Sequence, residues 1–256
     1  MKYSQADIDK ARRDFVYTLK PWVEGSSQDT ITEGSDWYSA IIGLPPEIFN
    51  MVWIASLGKD SMEAALADLE QRNLAGYVRL SGAGLMHAKR LQERGYTIGG
   101  GNALMAWHPD KNSEAFKLRA GLEVRRITND IELVTMLEIF QSSFEIDDAT
   151  MKYFNEFYGN WDLDHFLWAL FDGAVMVSIV TSTVFENNVG IYSMATPASA
   201  QKKGYGAELL QYVQQFHAKA GQDTALLFAS AAGKFLYDKL GWDTLEYTQY
   251  YSRKPV

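Results

Sequence analysis

Residues 201–207, Gln201-Lys202-Lys203-Gly204-Tyr205-Gly206-Ala207, have the types and spacing to hold a phosphate. The run before them, Val189 to Ala195, reads as a strand that stops at Thr196-Pro197. The run after them reads as a helix over Ala207 to Ala220, with Leu209, Leu210, Val213 and Phe216 on one face and Gly221 closing it. A turn of this kind aims successive backbone N–H groups at one point, and the helix N-terminus adds roughly half a positive charge. Gly204 and Gly206 lack Cβ atoms and let a pyrophosphate approach the main chain. Lys202 and Lys203 bring positive charge to the same place. An ordinary strand–loop–helix connection with solvated lysines has the same letters, so Gly-x-Gly alone leaves both readings open.

The elements around this loop are legible. Leu122 to Ile127 alternates as a half-buried strand. Asn129 or Asp130 can cap a helix with Leu133, Leu137 and Phe140 inward. Asp147 or Asp148 can cap a second, carrying Met151, Phe154, Tyr158 and Trp161. Strands follow over Phe166 to Phe171 and Ala174 to Phe185, joined by the hairpin signal Asp172-Gly173. Asn187-Asn188 turns into the strand that leads to the loop, and Thr224 to Phe228 is a strand. Ala231 to Leu240 is a helix ending at Gly241, and Leu245 to Tyr251 a last strand.

The first half is less regular. Asp7 to Leu19 suits a helix, and Asp60 or Ser61 caps another through Leu74 with Ala64, Ala65 and Leu69 inward. Ala75 to Leu80 suits a strand, Gly84 to Arg94 a helix, and Ala103 to Trp107 a strand. His108 to Glu114, polar and with Pro109, is the expected boundary, giving domains over 1–110 and 118–256. Leu91-Gln92-Glu93-Arg94-Gly95-Tyr96-Thr97 echoes Tyr237-Asp238-Lys239-Leu240-Gly241-Trp242-Asp243: a helix stops at Gly, an aromatic follows, and a strand begins. The echo suggests two related halves.

Gln201-x-x-Gly204-x-Gly206 after a strand ending in Thr196-Pro197, with Phe235-Leu236-Tyr237-Asp238-Lys239-Leu240-Gly241-Trp242 downstream, resembles the GNAT superfamily of acyl-CoA N-acyltransferases. The resemblance covers roughly Leu122 to Arg253. It implies an α/β (α+β) fold with a mixed, mainly antiparallel sheet flanked by helices. With the echo, it implies two tandem GNAT-like domains, the first degenerate because it lacks the loop and has Leu91 where Tyr237 stands. It further implies that Gln201, Lys202, Lys203, Gly204, Tyr205, Gly206 and Ala207 cradle the pyrophosphate of acetyl-CoA. Met194, Ala195 and Thr196 would meet the pantetheine arm, with a backbone N–H of Met194 or Ala195 serving the developing oxyanion. Tyr237 would be general acid for the leaving thiolate. Ser230 stands where many members have Asn, which leaves a pantetheine contact there open.

The chain has no Cys, which removes disulfides, thiolate metal sites and a cysteine nucleophile, and leaves direct attack of an amine on the thioester as the natural route. Where many members carry a Glu, this sequence has Val189-Gly190-Ile191-Tyr192-Ser193. Glu186 is the nearest acid and the candidate base; His165, Asp164, or a water held by Ser193 or Tyr192 are alternatives. The four His do not pair at metal-ligand spacing, so no metal is expected. Gly99-Gly100-Gly101 reads as a turn or bulge. Tyr153, Phe154, Phe157, Tyr158 and Trp161 form a helix face, either core or an acceptor wall.

The 256 residues suit two domains, and a net charge of −8 argues against a nucleic-acid partner. The polar start and the shortness of Ala174 to Phe185, the most apolar stretch, predict no signal peptide, no membrane partner and a cytoplasmic protein. The expected partner is a primary amine, as a small molecule or on a peptide, with the acidic balance leaning toward a cationic acceptor. Monomer and homodimer are both open. Loss of catalysis, leaving an acyl-CoA-binding regulatory or scaffolding protein, is the alternative.

Overall fold

The computed structural model describes residues 2–23, 30–109 and 116–255. It divides into two compact units, Met1–Ala106 with Phe228–Val256, and Trp107–Leu227.

The first unit opens with helices α1 (Gln5–Tyr17) and α2 (Lys20–Val23). Ser4 caps α1 by accepting from the Asp7 N–H while the Asp7 carboxylate accepts from the Ser4 N–H. Strands β1 (Thr30–Glu33), β2 (Trp37–Ile41) and β3 (Asn50–Ile54) form an antiparallel meander. Helix α3 (Lys59–Gln71) crosses over, and β4 (Gly76–Ser81) pairs parallel to β3. A 3-10 turn at Gly82–His87 leads into α4 (Ala88–Glu93) and then β5 (Thr97–Trp107). The sequence reading differs here in three places. Helix α3 has Gly58 as its N-cap with no side-chain cap bond, so neither Asp60 nor Ser61, both inside the helix, caps it. Ala64 faces solvent, and Met62 and Leu66 take the inward positions with Ala65 and Leu69. The expected helix over Gly84 to Arg94 is a 3-10 turn followed by six α-helical residues. Gly84 sits so close to the main chain of Ile54 (an added Cβ would meet the Ile54 carbonyl oxygen at 2.3 Å) that the segment follows that strand tightly.

The second unit runs β6 (Leu122–Arg126), α5 (Asp130–Phe144), α6 (Asp148–Gly159), then β7 (His165–Asp172), β8 (Val175–Phe185) and β9 (Asn188–Ala195) as an antiparallel meander with β6 at its edge. Helix α7 (Tyr205–Lys219) crosses over, and β10 (Thr224–Ala229) pairs parallel to β9. Asn129 and Asp147 cap α5 and α6 as the sequence implies. Side chains alternate across the sheet. Phe166 and Trp168 of β7 meet Phe216 of α7, whereas His165 meets Tyr158 of α6, so α6 and α7 cover opposite faces. Meander, crossover helix and parallel strand thus occur in both units.

Helix α8 (Ala231–Lys239) and β11 (Asp243–Arg253) return to the first unit, where β11 is antiparallel to β4 on one side and to β5 on the other. A division at 110–118 keeps 228–256 with the second half, while packing groups it with the first. The cause is β11, which fills the gap between β4 and β5 and buries Tyr251 in the first unit's core with Val78 and Leu80. Asp110 to Glu114 of the expected boundary lie outside the described residues. The echo has a shared geometry: Gly95 and Gly241 have φ of +85° and +78°, and the amides of Tyr96 and Trp242 each reach back to a carbonyl five residues earlier, Leu91 and Tyr237, at 3.0 Å.

Arg12 of α1 is 4% exposed and donates Nε and Nη2 to the two Glu246 oxygens of β11 at 2.7 and 2.5 Å. Removing one partner strands a buried charge, so Arg12→Met will cost about 3–5 kcal/mol. A fall in urea midpoint, recovered in part by adding Glu246→Gln, checks this.

Candidate functional site

The site grows from a break in the regularity of β9. The β8–β9 register pairs Ile179 with Ala195 and Thr181 with Tyr192, so Ser193 and Met194 together oppose Val180. This is a bulge: the extra residue drops out of the ladder and frees backbone polar groups. Ser193 takes φ +52°, a region non-glycine residues enter rarely. Its Oγ lies 2.7 Å from the hydroxyl of Tyr158, a buried residue of α6. Burial pushes the Tyr158 phenol above its usual pKa. Tyr158→Phe will cost about 1 kcal/mol by loss of that bond, measurable as a shift in denaturation midpoint.

On its other side β9 loses its neighbour. The parallel register pairs Thr224–Leu226 with Asn188–Gly190 and ends there, leaving the bulged end of β9 unpaired beside β10. In the first unit the corresponding parallel pair shows no such early ending: Met51–Ile54 match Tyr77–Leu80 along the whole run. An extended ligand arm can add to β9 where β10 departs, as a strand would.

The loop follows at once. Thr196 Oγ1 is 2.9 Å from Ser178 Oγ, whose own hydrogen goes to the Ala195 carbonyl at 2.9 Å, so Thr196 is the donor. Gln201 Nε2 donates to the Thr196 carbonyl at 3.1 Å and ties the turn shut across Pro197 and a 3-10 turn at Ala198–Ala200. Lys202 and Gly204 both have positive φ, +62° and +82°. Gly204 is the N-cap of α7, with no side-chain cap bond, and the first helical bond runs from the Glu208 N–H to the Gly204 carbonyl at 3.1 Å. The amides of Tyr205, Gly206 and Ala207 therefore have no acceptor within the helix. Gln201, Lys202 and Lys203 are exposed, and Tyr205 is buried with its hydroxyl donating to Asp172. Uncapped amides, two lysines and a glycine N-cap are the donor set that a pyrophosphate requires.

One residue near the loop escaped the sequence reading. Arg119 donates Nη2 to the Lys203 carbonyl at 3.3 Å, lies 3.6 Å from Glu208 Oε1, and stands 5.3 Å over the Tyr205 ring. The only signal for it was the basic run from Lys117 to Arg126.

Glu186 does not join this group. It occupies the β8–β9 turn at φ +51°, exposed, at the opposite end of β9 from the bulge. The intervening strand sets it on the order of 25 Å away. The turn itself is Glu186-Asn187, with Asn188 already in β9. Asp164 is exposed. His165 is buried, and burial lowers its pKa to about 4, so its ring is neutral near pH 7. Phe154 and Tyr158 are core, packed on Phe140, whereas Trp161 lies beyond α6 and is exposed.

Tyr237 and Ser230 belong to the first unit. Ser230 Oγ caps α8 by accepting from the Gly233 N–H at 3.1 Å, which leaves its hydroxyl hydrogen and one lone pair for another partner. Tyr237 is half-buried, its ring 5.8 Å from Trp242, and burial pushes its phenol up to about 12. A Cβ on Gly233 would stand 3.2 Å from that ring, so α8 needs a small residue there. Among the described residues, no group of three or more His, Asp or Glu could hold a metal, and no helix is long and apolar enough to cross a membrane.

Residues 133–242 match the model of the Acetyltransferase (GNAT) family. No curated protein matches the chain. Among solved structures, a GCN5-related N-acetyltransferase from Kribbella flavida is similar over 94% of each chain, with a TM-score of 0.69 and 16% identity. One from Sphaerobacter thermophilus is similar over 85% of this chain and 76% of its own, with a TM-score of 0.59 and 16% identity. A conserved protein from Staphylococcus epidermidis, described as functionally unknown, covers 90% of this chain and 95% of its own, with a TM-score of 0.65 and 14% identity.

Proposed function

Residues 133–242 being a domain of the GNAT fold, we propose that the protein is an N-acetyltransferase that moves an acetyl group from acetyl-CoA to a primary amine by direct transfer in a ternary complex. The observation that carries this reading is the junction of the bulged, unpaired end of β9 with the uncapped start of α7. The amine nitrogen attacks the thioester carbonyl, the C–N bond forms, and the C–S bond breaks as the thiolate leaves. A backbone N–H of Met194 or Ala195 serves the oxyanion. The amine proton leaves through water held by the Ser193 hydroxyl, since Glu186 is remote.

Tyr237, by the resemblance of its motif, is the residue assigned to the leaving thiolate in this reading. A thiol has a pKa near 8.5, and a phenol held at about 12 lies roughly three and a half units higher, so full proton transfer is uphill. Tyr237 acts by donating a hydrogen bond to the developing thiolate while keeping its proton. In the same reading the protein is cytoplasmic, and its first half is a GNAT-like domain without a cofactor loop of its own. The acceptor is a small-molecule or peptide amine.

An amine panel with acetyl-CoA, read by thiol release, tests the proposal; a chain without Cys adds no background. Release with at least one amine supports it, and CoA binding without release under any amine overturns it in favour of an acyl-CoA-binding regulatory protein. The want of a carboxylate on Val189–Ala195 is what keeps that second reading in the test.

A further inference from the structure

The first unit buries two arginines on unequal terms. Arg12 is held by the carboxylates of Glu246 and Asp9. Arg79, at the centre of β4 and 6% exposed, has no carboxylate within 4 Å among the described residues. Its hydrogen-bonded oxygen partners are neutral: Nη1 donates to Thr248 Oγ1 at 2.7 Å and to Asn102 Oδ1 at 3.3 Å. Its Nε is buried with no partner at all. Aromatic rings surround the charge: the guanidinium carbon lies 3.6 Å from the Phe228 centroid, 5.6 Å from Tyr77 and 5.9 Å from Tyr250.

Three strands build this cage. Tyr250 of β11 is the cross-strand partner of Arg79, and Thr248 is the partner of Asn102 on β5. The Gly99-Gly100-Gly101 run of β5 makes the space: an added Cβ would stand 2.3 Å from Tyr250 Cε2 at Gly99 and 3.2 Å from its hydroxyl at Gly100. The register also slips here, so the run is the expected bulge. Tyr77, Asn102, Phe228 and Tyr250 are only half-buried, so the cage walls reach the surface.

A desolvated guanidinium with neutral oxygens and aromatic faces is incomplete as an electrostatic unit. Burial pulls the pKa of Arg79 down, and the phenols of Tyr77 and Tyr250 and the more distant Glu246 carboxylate offset that only in part. We propose that Arg79 anchors a ligand site of the first unit, and that the ligand is a small organic monocarboxylate. The planar guanidinium edge at Nε matches a carboxylate in two parallel hydrogen bonds. One buried cation balances one negative charge, which disfavours a phosphate dianion, and Tyr77 and Tyr250 offer faces to the ligand's body.

The test is calorimetric titration of the full chain, without CoA, with benzoate, acetate and inorganic phosphate in a chloride-free buffer. Benzoate is expected to bind saturably, phosphate not. Arg79→Gln and Arg79→Lys are expected to weaken benzoate at least tenfold, Lys because it lacks the fork. Crystals grown with 4-bromobenzoate are expected to place the bromine's ligand against Arg79, which decides the matter on the wild type if the variants fail to fold. Absence of benzoate binding, equal binding by Arg79→Gln, phosphate binding as tightly as benzoate, or bromine density only elsewhere would each overturn the proposal.

Discussion

Gly204→Val will leave the protein folded and cost it at least a hundredfold in CoA affinity. The backbone there sits at φ +82°, which a β-branched residue adopts at a penalty of roughly 1–2 kcal/mol. The rest of the protein hardly objects, because nothing lies within 4 Å of a Cβ built on Gly204. Gly204 is the N-cap of α7, the position at which the proposed pyrophosphate meets the main chain. The loss therefore falls on the ligand and not on the fold. Calorimetric titration with CoA measures the first, and a thermal midpoint lowered by only a few degrees measures the second. Gly204→Ala bears the same backbone penalty with less bulk and is expected to fall between. An affinity for CoA within threefold of wild type in the valine variant would remove the loop from the site.

Tyr237→Phe will lower kcat by about 10²–10³ with KM for acetyl-CoA nearly unchanged, since a hydrogen bond to the leaving thiolate forms only as the C–S bond breaks. The phenol is pushed up to about 12 by burial. It keeps its proton across the working range, so the wild-type rate shows no alkaline limb from this group below about pH 11. The same shift links to stability. A tyrosine titrates near 10 when unfolded, so between pH 10 and 12 the unfolded chain loses a proton that the folded chain retains, and stability falls as pH rises. The phenylalanine variant lacks that fall, and its stability relative to wild type should improve across that window. Equal rates for the two proteins at pH 7.5 would remove Tyr237 from the chemistry.

How far the sequence alone reaches is instructive at single residues. The loop was legible because its signals are local: two glycines, a strand before and an amphipathic face after. The caps at Asn129 and Asp147 and the turns at Gly173 and Gly241 were legible for the same reason. The bulge at Ser193-Met194 was not, because register depends on which residues of β8 stand opposite. Glu186 looked near the site in the sequence and is distant in space, because a strand is the longest way to use nine residues. Arg119 approaches the loop from another segment and carries no motif. Helical spacing alone puts Ala64 inward, whereas Met62 and Leu66 define the inward arc. The placement of β11 could not be read at all, since nothing in its alternation says which strands it joins.

That last strand has a consequence for how the molecule is made. Everything needed for the second unit, Trp107–Leu227, has been synthesised before α8 and β11 emerge, whereas β4 and β5 of the first unit wait for a partner encoded more than a hundred residues later. At about 5–20 residues per second, the first unit spends several seconds or more with two unsatisfied strand edges and an open core. Unpaired edges of that kind recruit other strands, so nascent chains stalled or cut before β11 are the species most prone to aggregate. The order of folding is thus the reverse of the order of synthesis: the half made first closes last.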